Sequence, residues 1–391
     1  MENSANVKQD PDFELTESQE AIRLLVREFA EQEIRPVIMK YDESQEFPFE
    51  IVEKLAGLGF MGMIWPEELG GAALDDISAA IVVEELARID PSVALTVASH
   101  NSLCTGHIML FGSDEQKRRH VPDLASGKAL GAWGLTEPGS GSDSGGMQTT
   151  ANREEDHWVL NGSKSFITQG SVGSTYVVMA LSDRSKGKNG ISAFILEKGM
   201  KGFTVGKKEN KLGMRCSDTA TLLFDNVRVP DGNLIGRPGE GFKQALRVLD
   251  GGRVGIAALS VGIAQGALDA SLKYAKERQQ FGKPLAEFQA IQWKLADMAT
   301  EIQAARLLTY RSAWLKRRGE DINLAASQAK YFASEVAVRA TNEAVQIHGG
   351  YGFVKDYPVE KLYRDVKLMT IGEGTSEVQK MVIARNILGG R

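Results

Sequence analysis

The feature that most limits how this chain can fold is the sustained helical patterning of its last third. Phe242–Arg278, Ala286–Arg318 and Ile322–His348 read as long helices, followed by a short piece near Val359–Lys367 and a last helix over Thr375–Leu388. At about 1.5 Å per residue the two longest reach roughly 50 Å. Long antiparallel helices joined by short loops make a bundle. Small residues crowd Gly255–Ala270, the composition of a closely packed helix face.

Upstream the texture differs. Thr16-Glu17-Ser18-Gln19 is a capping box, and Ile22, Leu25, Val26 and Phe29 follow at helical spacing up to Arg35, which precedes Pro36. Further helices are expected at Phe49–Leu58, Asp76–Ile89 and Val93–Phe111. From Ala129 to Pro230 short β-branched and aromatic runs take over, as in His157–Leu160, Thr175–Met179 and Ile191–Leu196. Asn161-Gly162 is a hairpin-turn signal. Short strands without intervening helices argue for an antiparallel or barrel-like sheet. The expected fold class is α+β and mostly α: an N-terminal helical domain (1–128), a middle antiparallel β-domain (129–236) and a C-terminal four-helix bundle (237–391).

Composition excludes several classes. A chain of 391 residues has room for two or three domains, each with its own core. A net charge of −5 argues against a nucleic-acid partner. Met1–Glu14 is polar and acidic, without the apolar centre of a signal peptide, and no uninterrupted apolar run approaches spanning length. Cys104 and Cys216 stand far apart, so neither a disulfide framework nor a zinc site is indicated. The expectation is a cytoplasmic protein with no membrane span and no metal.

Two stretches carry chemistry. Glu373 lies between Gly372 and Gly374, directly before Ser376 and Gln379, which have capping-box spacing. Flanking glycines allow a sharp turn and a close ligand approach. A carboxylate there, before a helix N-terminus that favours anions, fits a base facing a phosphate-bearing cofactor. The second stretch, Trp133–Asp143, has glycines at the wrong spacing for a dinucleotide fingerprint. It offers instead an exposed backbone loop with hydroxyls at Thr136, Ser140 and Ser142.

Together with Gly162–Thr168, Lys211–Arg215, Phe224–Pro230, Glu277–Gly282, Gln346–Gly352, Tyr357–Glu360 and Ile371–Glu377, these stretches resemble one family in one order. The chain resembles an acyl-CoA dehydrogenase of short- or medium-chain type over Leu15–Leu388. The resemblance implies FAD-dependent insertion of a trans α,β double bond into a fatty-acyl-CoA, as in β-oxidation, with electrons passed to an electron-transfer flavoprotein. It makes Glu373 the base that removes the α-proton, with the flavin N5 taking the β-hydride. The base's own backbone N–H and a ribityl hydroxyl would hold the thioester carbonyl. Trp133, Leu135, Thr136, Gly141 and Ser142, with Phe166, Ile167 and Thr168, would hold the flavin ring. The adenosine pyrophosphate falls to Arg278, Gln280, Phe281 and Gln289, and to Gln346, Ile347, Gly349 and Gly350 of a neighbouring subunit; Thr375 and Glu377 would reach the same FAD. Ser142, Asp250, Arg253 and Gly374 would touch the acyl-CoA. A shared FAD site requires at least a dimer, and a homotetramer is the family's expectation.

Departures from the family pattern inform the choice of base and substrate. Some members carry the base where this chain has Gly252, which strengthens Glu373. Glutaryl-type members have an arginine where this chain has Ala94, which disfavours a dicarboxylic substrate. Phe166 replaces the usual tryptophan. His348 is read as a cofactor-facing or packing residue, and His100, beside Asn101, is assigned to the acyl pocket. Lys117–Arg119 and Lys316–Arg318 are read as solvated helix ends. Two alternatives stand beside the dehydrogenase: an oxidase returning electrons to O₂, and a non-catalytic acyl-CoA-binding protein on the same fold. Straight short- or medium-chain acyl groups are the default, with branched and alicyclic ones open.

Overall fold

The computed structural model describes residues 14–390, so the polar tail read from the N-terminus lies outside the described residues except for Glu14. The first domain is helical: α1 (Glu17–Phe29), α2 (Ile38–Ser44), α3 (Phe49–Gly57), α4 (Asp76–Ile89), α5 (Pro91–Ser99), α6 (Gly106–Phe111) and α7 (Asp114–Ala125). The capping box at Thr16 and Gln19 is present. The helix expected over Val93–Phe111 is instead two helices joined by a π turn, His100–Thr105. Its cause is local. Asn101 donates to the Val97 and Phe60 carbonyls and Ser102 to that of Ala98, drawing side chains into the ladder.

The middle domain is one 8-stranded sheet in the order β6-β7-β3-β2-β4-β5-β8, with β1 paired to β4. The strands are β1 (Gly131–Gly134), β2 (Thr150–Glu154), β3 (His157–Thr168), β4 (Thr175–Leu181), β5 (Ile191–Glu197), β6 (Phe203–Lys208), β7 (Thr219–Pro230) and β8 (Leu234–Ile235). Most pairs are antiparallel as expected, but β1 runs parallel to β4, from Gly131 opposite Thr175 to Gly134 opposite Val178. β2 meets the same strand, also parallel, at Leu181. β1 and β2 are therefore two halves of one line along β4, and residues 135–149 loop out between them.

Asn161-Gly162 does not form a hairpin turn. It lies inside β3 at a register shift opposite β7. Gly162 has φ +141°, and a Cβ there would stand 2.6 Å from the Thr149 hydroxyl. Close backbone approach, not a turn, is what this glycine serves.

The last domain comprises α8 (Gly241–Glu277), a two-strand ladder β9 (Gln279–Gln280) and β10 (Lys283–Pro284), α9 (Gln289–Arg317), α10 (Asn323–His348), α11 (Val359–Asp365) and α12 (Ser376–Ile387). The two helical domains do not keep separate cores. Leu86 and Val93 belong to one apolar cluster with Ala257, Val261, Ala329 and Val336. The contact is close because α8 presents glycine: a Cβ on Gly262 would lie 2.2 Å from the Glu84 carbonyl, and one on Gly266 2.2 Å from that of Arg88. Among the described residues α8 is long and apolar enough to cross a membrane by length and composition, and its apolar stretch is mostly buried inside the protein.

Candidate active site

The turn between α11 and α12 places Glu373. A 3₁₀ turn over Val366–Thr370 leads into it. Glu373 has φ +53° and Gly374 φ +95°. A left-handed backbone at a non-glycine residue is costly and persists only where its surroundings hold it. Here they do: Lys330 Nζ on α10 donates to the Gly374 carbonyl at 2.6 Å. Gln379 Nε2 donates to the same oxygen at 3.0 Å. The helix starts one residue earlier than the expected capping box. Thr375 is the N-cap, accepting from the Val378 N–H, while Ser376 Oγ donates to Glu335. Glu377 is exposed.

The Glu373 residue as a whole is half-buried, but its Oε2 is closed off from solvent and has no hydrogen-bond partner. Gly252 on α8 makes room for it, since a Cβ there would lie 2.1 Å from Oε2 and 3.3 Å from a Leu103 methyl. Burial pushes the carboxyl up to about 7, against the opposing pull of Lys330 and Arg253. A carboxyl poised near neutrality in a dry setting is suited to taking a proton from a weak carbon acid.

Arg253 and Asp250 are enclosed, not on a surface. Arg253 Nη1 donates to Asp250 at 2.8 Å and to Ser327 at 3.3 Å, and Asn323 donates a second bond to the Asp250 carboxylate. Arg253 Nε is buried without a partner. The sequence reading missed Lys330, although a signal existed: it is in helical phase with Ala326, Ala333 and Ala337, all wholly buried.

A second cluster surrounds the 135–149 loop. Trp133 is buried, and its indole N–H donates to His107 Nδ1 at 3.0 Å. Leu135 is buried, while Thr136 accepts from the Ser165 N–H at 2.8 Å and so ties the loop to β3. Behind it Lys164 Nζ donates to Glu137 at 2.8 Å and to the Leu135 carbonyl at 3.1 Å, and Glu137 also takes the Gln148 and Thr149 N–H groups. Sequence reasoning assigned neither Lys164 nor Glu137. Gly141 and Ser142 are exposed, with nothing within 4 Å of where a Gly141 Cβ would be. Phe166 has φ +58° at a second bulge in β3 and stands 66% exposed beside this loop. Ile167 is buried and Thr168 half-buried.

A third group lies at the other end of α8. The Arg278 guanidinium is 5.5 Å from the Tyr351 ring centre. Gln280, Gln289, Gln346, Gly349 and Gly350 are exposed, and Phe281 is exposed on a left-handed backbone. Ile347 is buried in the core. His348 is a packing residue, stacked on Tyr274 at 4.2 Å with Nδ1 bonded to the Ala344 carbonyl. His100 is wholly buried and bonded at both ring nitrogens. Its Nδ1 accepts from the Gly131 N–H, so the neutral ring donates from Nε2 to the Leu124 carbonyl, pinning β1 to the helices. Its neighbours Asn101 and Ser102 are among the residues that line a small pocket beside Gly251. Ala94 is wholly buried. Arg119 pairs with Glu197 and Lys316 with Asp76, as helix-end cations do.

Three family models match the chain in order: the acyl-CoA dehydrogenase N-terminal domain over residues 16–128, the middle domain over 132–227 and the C-terminal domain over 239–388. The short-chain specific acyl-CoA dehydrogenase of Clostridium acetobutylicum is 50% identical over 376 residues, 96% of this chain and 99% of that protein. The butyryl-CoA dehydrogenase structure from Megasphaera elsdenii superposes with a TM-score of 0.95 at 46% identity, covering 97% of this chain and all of that one. A chain from the electron transferring flavoprotein work on Acidaminococcus fermentans, concerned with flavin-based electron bifurcation, gives 0.95 at 48% identity with coverage of 97% and 100%. The chain belongs to the acyl-CoA dehydrogenase family of FAD-dependent oxidoreductases.

Proposed function

We propose that this protein oxidises a short-chain acyl-CoA to its trans-2-enoyl-CoA, with Glu373 as the base. The observation that carries the reading is the enclosed, unpartnered Oε2 of Glu373, on a carboxyl poised at about 7 and a held left-handed turn. The residues present fit FAD. An outward aromatic, Phe166, stands next to an exposed glycine loop with open space at Gly139 and Gly141, as a flat ring system requires. Gly349 and Gly350 offer similar room near Arg278. In this reading Thr136, Gly141, Ser142, Phe166 and Thr168 hold the flavin, with the backbone of Trp133, Leu135 and Ile167. Arg278, Gln280, Phe281, Gln289, Gln346, Gly349 and Gly350 serve the adenosine pyrophosphate across a subunit boundary. FAD, when bound, supplies a hydride acceptor for the β-carbon.

The chain's own part is the proton. Glu373 in its ionised form takes the α-hydrogen as H⁺ and becomes the neutral acid, while its own backbone N–H stabilises charge on the thioester oxygen. Asp250 and Arg253 orient the CoA end, and Gly374 and Ser142 border the thioester. Relatives named for short-chain substrates and for butyryl-CoA support a short acyl group. The flavoprotein-linked neighbour supports an electron-transfer flavoprotein as acceptor. A homotetramer in the cytoplasm, acting in fatty-acid β-oxidation, completes the reading.

The test is anaerobic absorbance of the purified protein before and after butyryl-CoA and octanoyl-CoA. Bleaching of a flavin band by butyryl-CoA first supports it; a flavin that neither thioester bleaches overturns the substrate class. Glu373→Gln should keep both ligands and lose at least about a hundredfold in kcat. The sign with pH follows from a raised carboxyl: the base is protonated below about pH 7 and competent above it. Initial rates with the parent protein should therefore climb through that pH.

A further inference from the structure

Lys330 is fully buried on α10, with its ammonium on the carbonyl of the residue after the base. An amine in the middle of an apolar helix face is costly to bury, so what it touches matters. It touches one neutral oxygen at 2.6 Å, and Gln379 converges on that same atom from α12. That oxygen belongs to the peptide that closes the left-handed turn at Glu373 and Gly374. Glu373 itself makes no hydrogen bond through Oε2. We infer that Lys330 is the positioning residue of the base: it fixes the left-handed turn that carries Glu373 through the Gly374 carbonyl and supplies a nearby positive charge. The inference rests on the proposed role of Glu373.

Other charges face the same place. Arg253 on α8 also acts on Glu373 through its charge but is itself balanced by Asp250, while the charges of Glu335 and Glu377 favour the cationic form of Lys330. Burial lowers Lys330 to about 8, so it is cationic over the range in which Glu373 ionises. Losing that cation disfavours the carboxylate, so the Glu373 midpoint moves up and activity at neutral pH falls.

Lys330→Gln keeps a donor for Gly374 without the charge; Lys330→Arg keeps the charge; Lys330→Met removes both. The readout is the pH midpoint of the protonated Glu373 C=O stretch in the infrared spectrum of the holoenzyme, assigned by its loss in Glu373→Gln, together with the acid limb of kcat/KM. The expected result is a midpoint raised by about one pH unit in the Gln and Met variants and restored by Arg, which is about a fivefold rate loss at pH 7 in the first two. The Met variant should also lose kcat across all pH, because the turn is released. A folded Gln variant whose band and acid limb stay at the parent midpoint overturns the inference. Should Met fail to fold, the Gln and Arg pair decides alone. Turnover surviving in Glu373→Gln would sink the base assignment separately, whatever the Lys330 variants do.

Discussion

Two buried lysines in this protein serve opposite ends. Lys361 on α11 is held at 2.5 Å by Asp90, at the start of α5, and at 2.5 Å by Asp365. The remaining carboxylate oxygens are used as well: Asp90 caps α5 through the Val93 N–H at 2.7 Å, and Asp365 accepts from Met214 at 2.6 Å. Two anions around one cation hold it charged, and the Lys361 amine is raised well above the ordinary lysine range. Lys330 has one neutral carbonyl, and burial drives it down. A closed cluster that joins the first helical domain, the loop before β7 and α11 is a joint. An open one, with an unpartnered carboxyl nearby, keeps its protons exchangeable and can do chemistry.

The largest expected break in this contrast is Lys361→Met. It would leave Asp90 and Asp365 buried without their cation, costing about 3–5 kcal/mol. Chemical denaturation of the holoenzyme should show the loss, with whatever folds keeping the parent acid limb. A variant of parent stability would mean that the cluster is no joint.

Next in size is Gly252→Ala, which separates the two properties in one substitution. Within α8 the change favours the helix by about 1 kcal/mol. Its new methyl would fall 2.1 Å from Glu373 Oε2 and must push the carboxyl aside. A base displaced by about an ångström loses on the order of a hundredfold in kcat. Stability equal to or above the parent, with turnover collapsed, is the expected pairing. Unchanged turnover would show that the carboxyl reacts from some other position.

The sequence was most legible where its period was longest. α4 begins and ends as read, Asp76–Ile89, and α8, α9 and α10 differ from expectation by a few residues at most, because whole faces of each are apolar. Reading failed where a neighbour distant in sequence overrides a local signal. Asn161-Gly162 has turn chemistry but meets Thr149 across the sheet. The middle domain reads as antiparallel, yet β1 pairs with β4 in parallel. At the candidate site, the glycines flanking Glu373 mark its turn, and Gly374 does take the left-handed backbone that glycine favours. Lys330 is 44 residues from the carbonyl it holds, and Lys361 is 271 from Asp90. Pairings of that separation leave no periodic trace.

The smallest expected effect serves as the control for the comparison. Thr16 caps α1 by accepting from the Gln19 N–H at 3.3 Å, and Gln19 returns a bond to the Thr16 N–H at 3.1 Å. Gln19 also reaches the carboxylate of Asp75, which caps α4. Thr16→Ala removes one side of this box and should cost about 1 kcal/mol. The loss frays the start of α1 and leaves Lys330, Gln379 and the Glu373 turn untouched, so the acid limb near pH 7 should keep its midpoint. If this peripheral loss of stability moved that midpoint as Lys330→Gln is expected to, ionisation of the base would be reporting general loosening of the fold. The charge of Lys330 would then lose its claim to setting it.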